Sequence, residues 1–327
     1  MTFKKINYKL FLFLFLISIF IMPFNAYAYT NKVILGGENV GIEVHSKGIL
    51  VVGFYNVSTS SPGKDAGLQL GDLIVKIDDT AISTIADLTN YINDSSNKLT
   101  LTYQRGSKTY TTDLTLAYDD GIYKTGIYVK DSIIGIGTLT FINPVTSMYG
   151  ALGHEIDEST TGMKFEIKDG KIFKSDVIDI KKSNRNDPGE KRANYYSNIE
   201  YGTILKNTEV GIFGKYIGDI NNDKLIDVAN TGEITTGEAY IYTVVSNSLI
   251  EKFKINILSI NNNSIKNILF EVVDENLLNK TNGIVQGMSG SPIVQNGKLV
   301  GAVTHVVLDN PAKGYGILIE NMLKETD

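Results

Sequence analysis

The sequence predicts a mainly β protein in two parts, a small α+β unit followed by a larger β-rich body. Three observations predict it. From about residue 39 onward, short runs of β-branched and aromatic residues alternate with Gly, Asn and Asp turns, the pattern of strands and tight connections. One stretch has helical period, from Ile82 to Ile92, with Ile85, Leu88 and Ile92 on one face. The chain has 327 residues, 43% hydrophobic and 20% charged, which is globular and long enough for two cores.

Composition then removes several chemistries. Net charge is −5 and no basic cluster stands out beyond the N-terminus, so nucleic acid is not an expected partner. There are no cysteines, which excludes thiolate catalysis, zinc–cysteine sites and disulfides and suits a protein working outside a reducing cytosol. Only His45, His154 and His305 are available for imidazole chemistry, too scattered to suggest a metal site. No cofactor is expected.

Residues 1–28 read as an export signal or membrane anchor. Lys4, Lys5 and Lys9 precede a thirteen-residue apolar core from Leu10 to Met22, and Ala26-Tyr27-Ala28 offers a small-x-small cleavage site. That core is short for a spanning helix, which needs about 20 residues. Residues 29–38 form a short linker.

Residues 39–118 form the first unit. Gly41–Val44 and Ile49–Phe54 read as two strands, Ser61–Leu68 as a turn-rich link, and Gly71–Asp78 as a turn and strand. The helix follows, and then a hairpin of Leu99–Tyr103 and Thr109–Leu116 around Arg105-Gly106. The "SPGKDAGLQLGDLIVKID" run and the "VGIEV" start resemble a PDZ domain of the bacterial protease type. Such domains add a peptide as an extra strand and hold its end in backbone amides. The resemblance implies a carboxylate loop at Val40, Gly41 and Ile42, facing the helix, for a peptide C-terminus or a peptide of the chain itself.

Residues 119–327 form the β-rich body. Gly126–Val129 and Ile133–Phe141 read as strands, and His154 follows in Tyr149–Ile156 between small residues, where an imidazole can approach a nucleophile without crowding. Asn184–Lys191, a charged run of turn formers, reads as surface. Asp219–Lys224 has the oxygen-rich look of a calcium loop but lacks its glycine and closing glutamate, so it reads as a solvated turn.

The most informative stretch is Gly287-Met288-Ser289-Gly290-Ser291-Pro292, between the apolar pairs Ile284-Val285 and Ile293-Val294. A serine hydroxyl attacks a carbonyl only if a base takes its proton and backbone amides receive the oxyanion. The N–H groups of Ser289 and of Gly287, two residues earlier, stand in the relation that makes an oxyanion hole in serine peptidases. Ser291 is a rival nucleophile, constrained by Pro292, and His305 a rival base within an apolar strand. Phe270–Asp274 precedes this loop, and the chain closes with a strand and short helix over Gly314–Leu323.

The runs "DSIIGIGTLTF", "YGALGHEI", "DPGEK", "GIFG", "GIVQGMSGSPIVQNGKLVGAVTHV" and "GYGILIENML" together resemble the stage IV sporulation protein B family, PDZ-containing serine peptidases of endospore-forming bacteria. The resemblance implies a trypsin-like double β-barrel peptidase domain after the PDZ domain. It implies His154 as base, Ser289 as nucleophile and Asp274 as the orienting acid. Asp274 stands only fifteen positions before Ser289, closer than trypsin-like folds usually place it, so Asp176 and Asp179 remain alternatives. The resemblance further implies export across the forespore membrane into the intermembrane space, and cleavage of an extracytoplasmic segment of a membrane protein that triggers a signal to the mother cell. The rival functions are a non-catalytic exported PDZ scaffold and a general envelope-quality protease. Intact His154 and Ser289 argue against the first. The domain order, PDZ before peptidase, argues against the second.

Overall fold

The computed structural model describes residues 31–94 and 97–326; the export segment expected over 1–28 lies outside the described residues. Strand β1 (Lys32–Leu35) leads into β2 (Asn39–Phe54). A single helical turn, α1 (Pro62–Asp65), replaces most of the expected link at 61–68. Then come β3 (Leu73–Ile77), β4 (Thr80–Ala81), α2 (Ile85–Asp94), and the hairpin of β5 (Lys98–Arg105) and β6 (Lys108–Thr115), turned by Gly106 at φ +58°. A small hairpin, β7 (Ala117–Asp119) and β8 (Ile122–Lys124), feeds the long β9 (Ile127–Ile142).

The first unit closes over Ile49, Ile74, Leu88, Leu99, Leu101 and Leu114, all buried. Burying each of these side chains is worth roughly 1.5–3 kcal/mol before the entropy of ordering it. Beneath that core, Arg105 grips the fully buried Asp72 with two bonds of 2.7 Å. The bond to Asp72 holds the guanidinium above its ordinary value.

Strands β2 and β9 join this unit to the rest. The sequence reads two strands in each; the structure makes each one continuous strand of sixteen residues. The reason lies in the partners. The gap expected after Val44 is spanned because His45 still pairs with Ser132 of β9 and the Lys47 N–H donates to Glu166 O. At Gly48 the chain approaches so closely that a Cβ would lie 2.4 Å from Ile74 O. The first half of β2 thus lies in the sheet of the larger body, and the second half, from Ile49, pairs with β3.

The larger body continues with β10 (Met148–Ala151), the small hairpin β11 (Asp157–Glu158) and β12 (Met163–Lys164), and the long antiparallel pair β13 (Ile167–Lys181) and β14 (Glu190–Thr203). Next are β15 (Lys206–Thr208), β16 (Gly211–Lys215), β17 (Leu225–Val228), β18 (Gly237–Val244), β19 (Ile250–Ile260) and β20 (Ile268–Val272). A helix absent from the sequence reading, α3 (Glu275–Thr281), precedes β21 (Pro292–Gln295), β22 (Lys298–Val306), β23 (Lys313–Leu318) and the closing α4 (Ile319–Leu323). The strands form a barrel-like sheet with one core around Ile42, Leu139, Tyr149 and Ile172, and another around Ile241, Phe253, Phe270 and Ile293. Asn221 in the oxygen-rich turn caps a single 3-10 turn through the Asp223 N–H.

Candidate active site

The loop before β21 is fixed at nearly every peptide. It leaves α3 through Asn282 at φ +56° and turns at Gly287, φ +93°, and Gly290, φ +91°. A Cβ on Gly290 would lie 2.1 Å from Thr138 O, so only glycine fits against β9 there. The Thr138 hydroxyl donates to Gly287 O at 2.8 Å, and the Thr138 N–H to Ser289 O at 2.9 Å. The Thr140 hydroxyl donates to Gly290 O at 2.7 Å, and the Gly290 N–H donates to Val303 O at 2.7 Å. Strands β9 and β22 therefore clamp the same loop.

Ser289 emerges from this clamp half-buried, with its hydroxyl donating to the carbonyl of Thr304 at 2.7 Å. Ser291 is fully buried, its hydroxyl 3.4 Å from that of Thr138, which removes it from contact with a substrate.

His154 follows β10 after two residues with positive φ, Leu152 at +67° and Gly153 at +70°. A leucine in that region is uncommon, and the turn it allows swings the imidazole out of the strand direction. His154 Nδ1 bonds Glu155 O at 2.7 Å. A carbonyl only accepts, so Nδ1 carries the proton and Nε2 presents its lone pair. Burial lowers the His154 pKa, and Lys266 adds to this; the Glu155 carbonyl and the charge of Asp157 oppose it. His305, at the end of β22, places its ring 4.7 Å from that of His154, centroid to centroid. Burial, then His154 and Lys266, push its pKa down to about 4. His45 lies on β2, bonded to Asp169 and beside Glu43.

His154, Ser289 and Gly287 all line one cleft of about 540 Å³. Its walls are mostly apolar, from Ile284 and Val285 before Ser289 and Val306 and Leu308 after Thr304. A second hollow of about 370 Å³ shares His154 and His305 with the first and is edged by Glu155, Asp157 and Glu209.

Three expected site residues take other roles. Asp274 is the N-cap of α3: one carboxylate oxygen accepts the Leu277 N–H at 3.1 Å and the other the Lys254 N–H at 3.2 Å. It is not among the residues of the cleft, because the helix absent from the sequence reading claims it. Asp176 and Asp179 lie on β13 beside Lys174 and Arg192 and do not replace it. Among the described residues, the partner of His154 Nδ1 is a backbone carbonyl.

Val40, Gly41 and Ile42 do not form an open carboxylate loop. They pair with Gly137, Ile136 and Gly135 of β9 on one edge and Lys174, Phe173 and Ile172 of β13 on the other. Both edges are used, so no strand can be added at these residues. A Cβ on Gly41 would lie 2.1 Å from the Phe173 ring, and Ile42 is a wall of the cleft that holds His154 and Ser289. The helix α2 meets the chain's own β9, whose Asp131 accepts the Ile85 N–H at 2.8 Å.

One buried charged residue beside the site escaped the sequence reading. Lys191, at the end of the run read as surface, is buried directly beneath Gly287.

Serine and imidazole on one cleft, with a glycine-turned amide loop between them and a PDZ unit ahead in the chain, define a serine peptidase that carries a PDZ domain. The family model for SpoIVB peptidase S55 matches residues 121–323, and the PDZ domain model matches residues 39–116. The chain belongs to the SpoIVB peptidase S55 family. A stretch of 65 residues is 35% identical to the serine protease Do-like HtrA of Lactococcus lactis subsp. lactis (strain IL1403), covering 19% of this chain and 16% of that protein's length. Among solved structures, the chain is similar to the PDZ domain of the SdrC-like protein of Listeria monocytogenes, with 29% identity, 26% of this chain and 90% of that one covered, and a TM-score of 0.23. It is also similar to the Rv3671c protease of M. tuberculosis in its active form, with 11% identity, 59% and 74% covered, and a TM-score of 0.30.

Proposed function

We propose that this chain is an exported serine endopeptidase of sporulation that cuts an extracytoplasmic segment of a membrane protein and so triggers forespore-to-mother-cell signalling. The observation that carries the chemistry is that Ser289, His154 and Gly287 line a single cleft. The family membership supports the sporulation setting. Export rests on residues 1–28, and anchoring by that segment is its alternative outcome.

In this reading the substrate chain lies in the apolar cleft. The Ser289 hydroxyl leaves the Thr304 carbonyl by rotating about its Cα–Cβ bond and donates to His154 Nε2. Its oxygen attacks the scissile carbonyl, and His154 returns the proton to the leaving amine. The Gly287 and Ser289 N–H groups receive the oxyanion. The Glu155 carbonyl holds the tautomer, and the Asp157 charge favours the imidazolium as it forms. In this reading the chemistry needs His154 and Ser289, and among the described residues no carboxylate is bonded to the imidazole.

The test compares the chain with Ser289→Ala on extracytoplasmic fragments of sporulation membrane proteins, with products read by mass spectrometry. Cuts made only by the unaltered chain are expected. Identical uncut profiles from folded proteins would contradict the reading and favour a non-catalytic scaffold.

A further inference from the structure

A buried ammonium with no carboxylate partner is expensive, because it loses hydration and regains only neutral hydrogen bonds. Lys191 is such a group. Its Nζ donates to Thr243 Oγ1 at 3.0 Å and, more weakly, to Asn39 Oδ1 at 3.4 Å. Among the described residues no ion pair involves it, and burial pushes its amine down to about 7. A methionine would fill the same space without that penalty, so the two polar anchors call for an explanation.

The surroundings supply one. The Lys191 N–H donates to Gln286 O at 2.9 Å, and the Gln286 N–H donates to Gly189 O at 2.8 Å. In a trans peptide the carbonyl and the following N–H point in opposite directions. Holding Gln286 O therefore aims the Gly287 N–H away from β14. The Lys191 stem presses on the next atom along: a Cβ at Gly287 would lie 3.0 Å from Lys191 Cδ and 3.2 Å from its Cβ and Cγ. Gly287 O is held from the other side by the Thr138 hydroxyl. Thr138 is the cross-strand partner of Asn39, the residue that accepts from the Lys191 ammonium.

We propose that Lys191 is a positioning residue for the oxyanion site: its backbone N–H, which any residue here would supply, aims the Gly287 amide, and its side-chain nitrogen, held by Asn39 on β2 and Thr243 on β18, fixes the stem that packs on Gly287 and so keeps that amide in place. The inference rests on the peptidase reading and adds a residue to it. Lys191 touches neither substrate nor nucleophile; it acts through Gly287. Because β2 runs on from Asn39 into the PDZ unit, the same tie connects the oxyanion loop to a strand that both units share.

The test uses the full chain and a fluorogenic peptide selected from a proteome-derived library as one the chain cuts and Ser289→Ala does not. Lys191→Met keeps the stem and removes the ammonium; Thr243→Val removes one anchor at constant shape. An amide aimed wrongly weakens the transition state and leaves ground-state binding alone. Lys191→Met is expected to lower kcat about tenfold or more with KM within about twofold, and Thr243→Val about threefold in the same direction. A purely structural role would lower Tm and leave kcat per folded molecule unchanged. If Lys191→Met does not fold, Thr243→Val decides. Unchanged kcat in the folded variants overturns the inference and leaves the peptidase reading standing. If the library yields no Ser289-dependent cut, the peptidase reading falls and this inference with it.

Discussion

Two cations reach into the interior in the two parts of this molecule, and they are handled in opposite ways. In the PDZ unit, Arg105 meets a carboxylate, Asp72, in a two-pronged pair, stacks near Tyr103 and Tyr110, and stays firmly charged. In the peptidase body, Lys191 meets only a hydroxyl and an amide oxygen, under the loop that carries Ser289. A paired charge at the junction of a hairpin and a turn serves the fold of that unit. A lone ammonium beneath a glycine of the nucleophile loop serves a site. The difference separates residues whose loss reads out as stability from residues whose loss reads out as rate.

The sharpest contrast comes from removing each side in turn. Ser289→Ala is expected to lower kcat/KM by at least about a thousandfold with no change in Tm, measured by peptide cleavage and thermal melting. Asp72→Ala should do the reverse. It strands the Arg105 guanidinium, and since that side chain is 31% exposed the cost is about 2–3 kcal/mol, less than for a fully buried pair. Its activity per folded molecule is expected to stay at the unaltered level, and an activity loss matching that of Ser289→Ala would erase the contrast. Asp274→Ala removes a helix cap and should cost about 1 kcal/mol in a denaturant melt. It should leave kcat intact, whereas a triad acid would take several orders of magnitude with it.

The smallest effect is in pH. In the proposed mechanism His154 works only as the neutral base, and burial lowers its pKa from 6.5. The base form therefore persists below that value. The acid limb of kcat/KM is expected to fall below pH 6.5, and a limb above it would show that a bonded carboxylate raises the imidazole in the working enzyme.

The parts of the fold that were readable in advance are those decided locally. Arg105-Gly106 turns its hairpin because glycine accepts the positive φ, and Gly287 and Gly290 announce a tight serine loop for the same reason. The final strand and helix follow from a short apolar pattern. What could not be read depends on distant partners. The continuity of β2 and β9 is set by pairing between segments far apart in sequence, as in Asn39 with Thr138. Asp274 looks like any acid before a serine until α3 claims it as a cap. Lys191 sits in a charged, turn-rich run that reads as surface; its burial is set by Asn39, 152 positions away, and Thr243, 52 away. One signal was available. The "DPGEK" run was among the stretches carrying the family resemblance, and a surface loop has little reason to carry one.

The central claim is that Ser289 is activated by His154 without a carboxylate from Asp274. The most direct measurement is the rate at which a fluorophosphonate labels the full chain, with the modified residue located by peptide mapping. The account predicts a label on Ser289 in the unaltered chain, the same rate in Asp274→Ala, and loss of labelling in His154→Ala. A label on Ser291, or an Asp274→Ala variant as slow as His154→Ala, would contradict it.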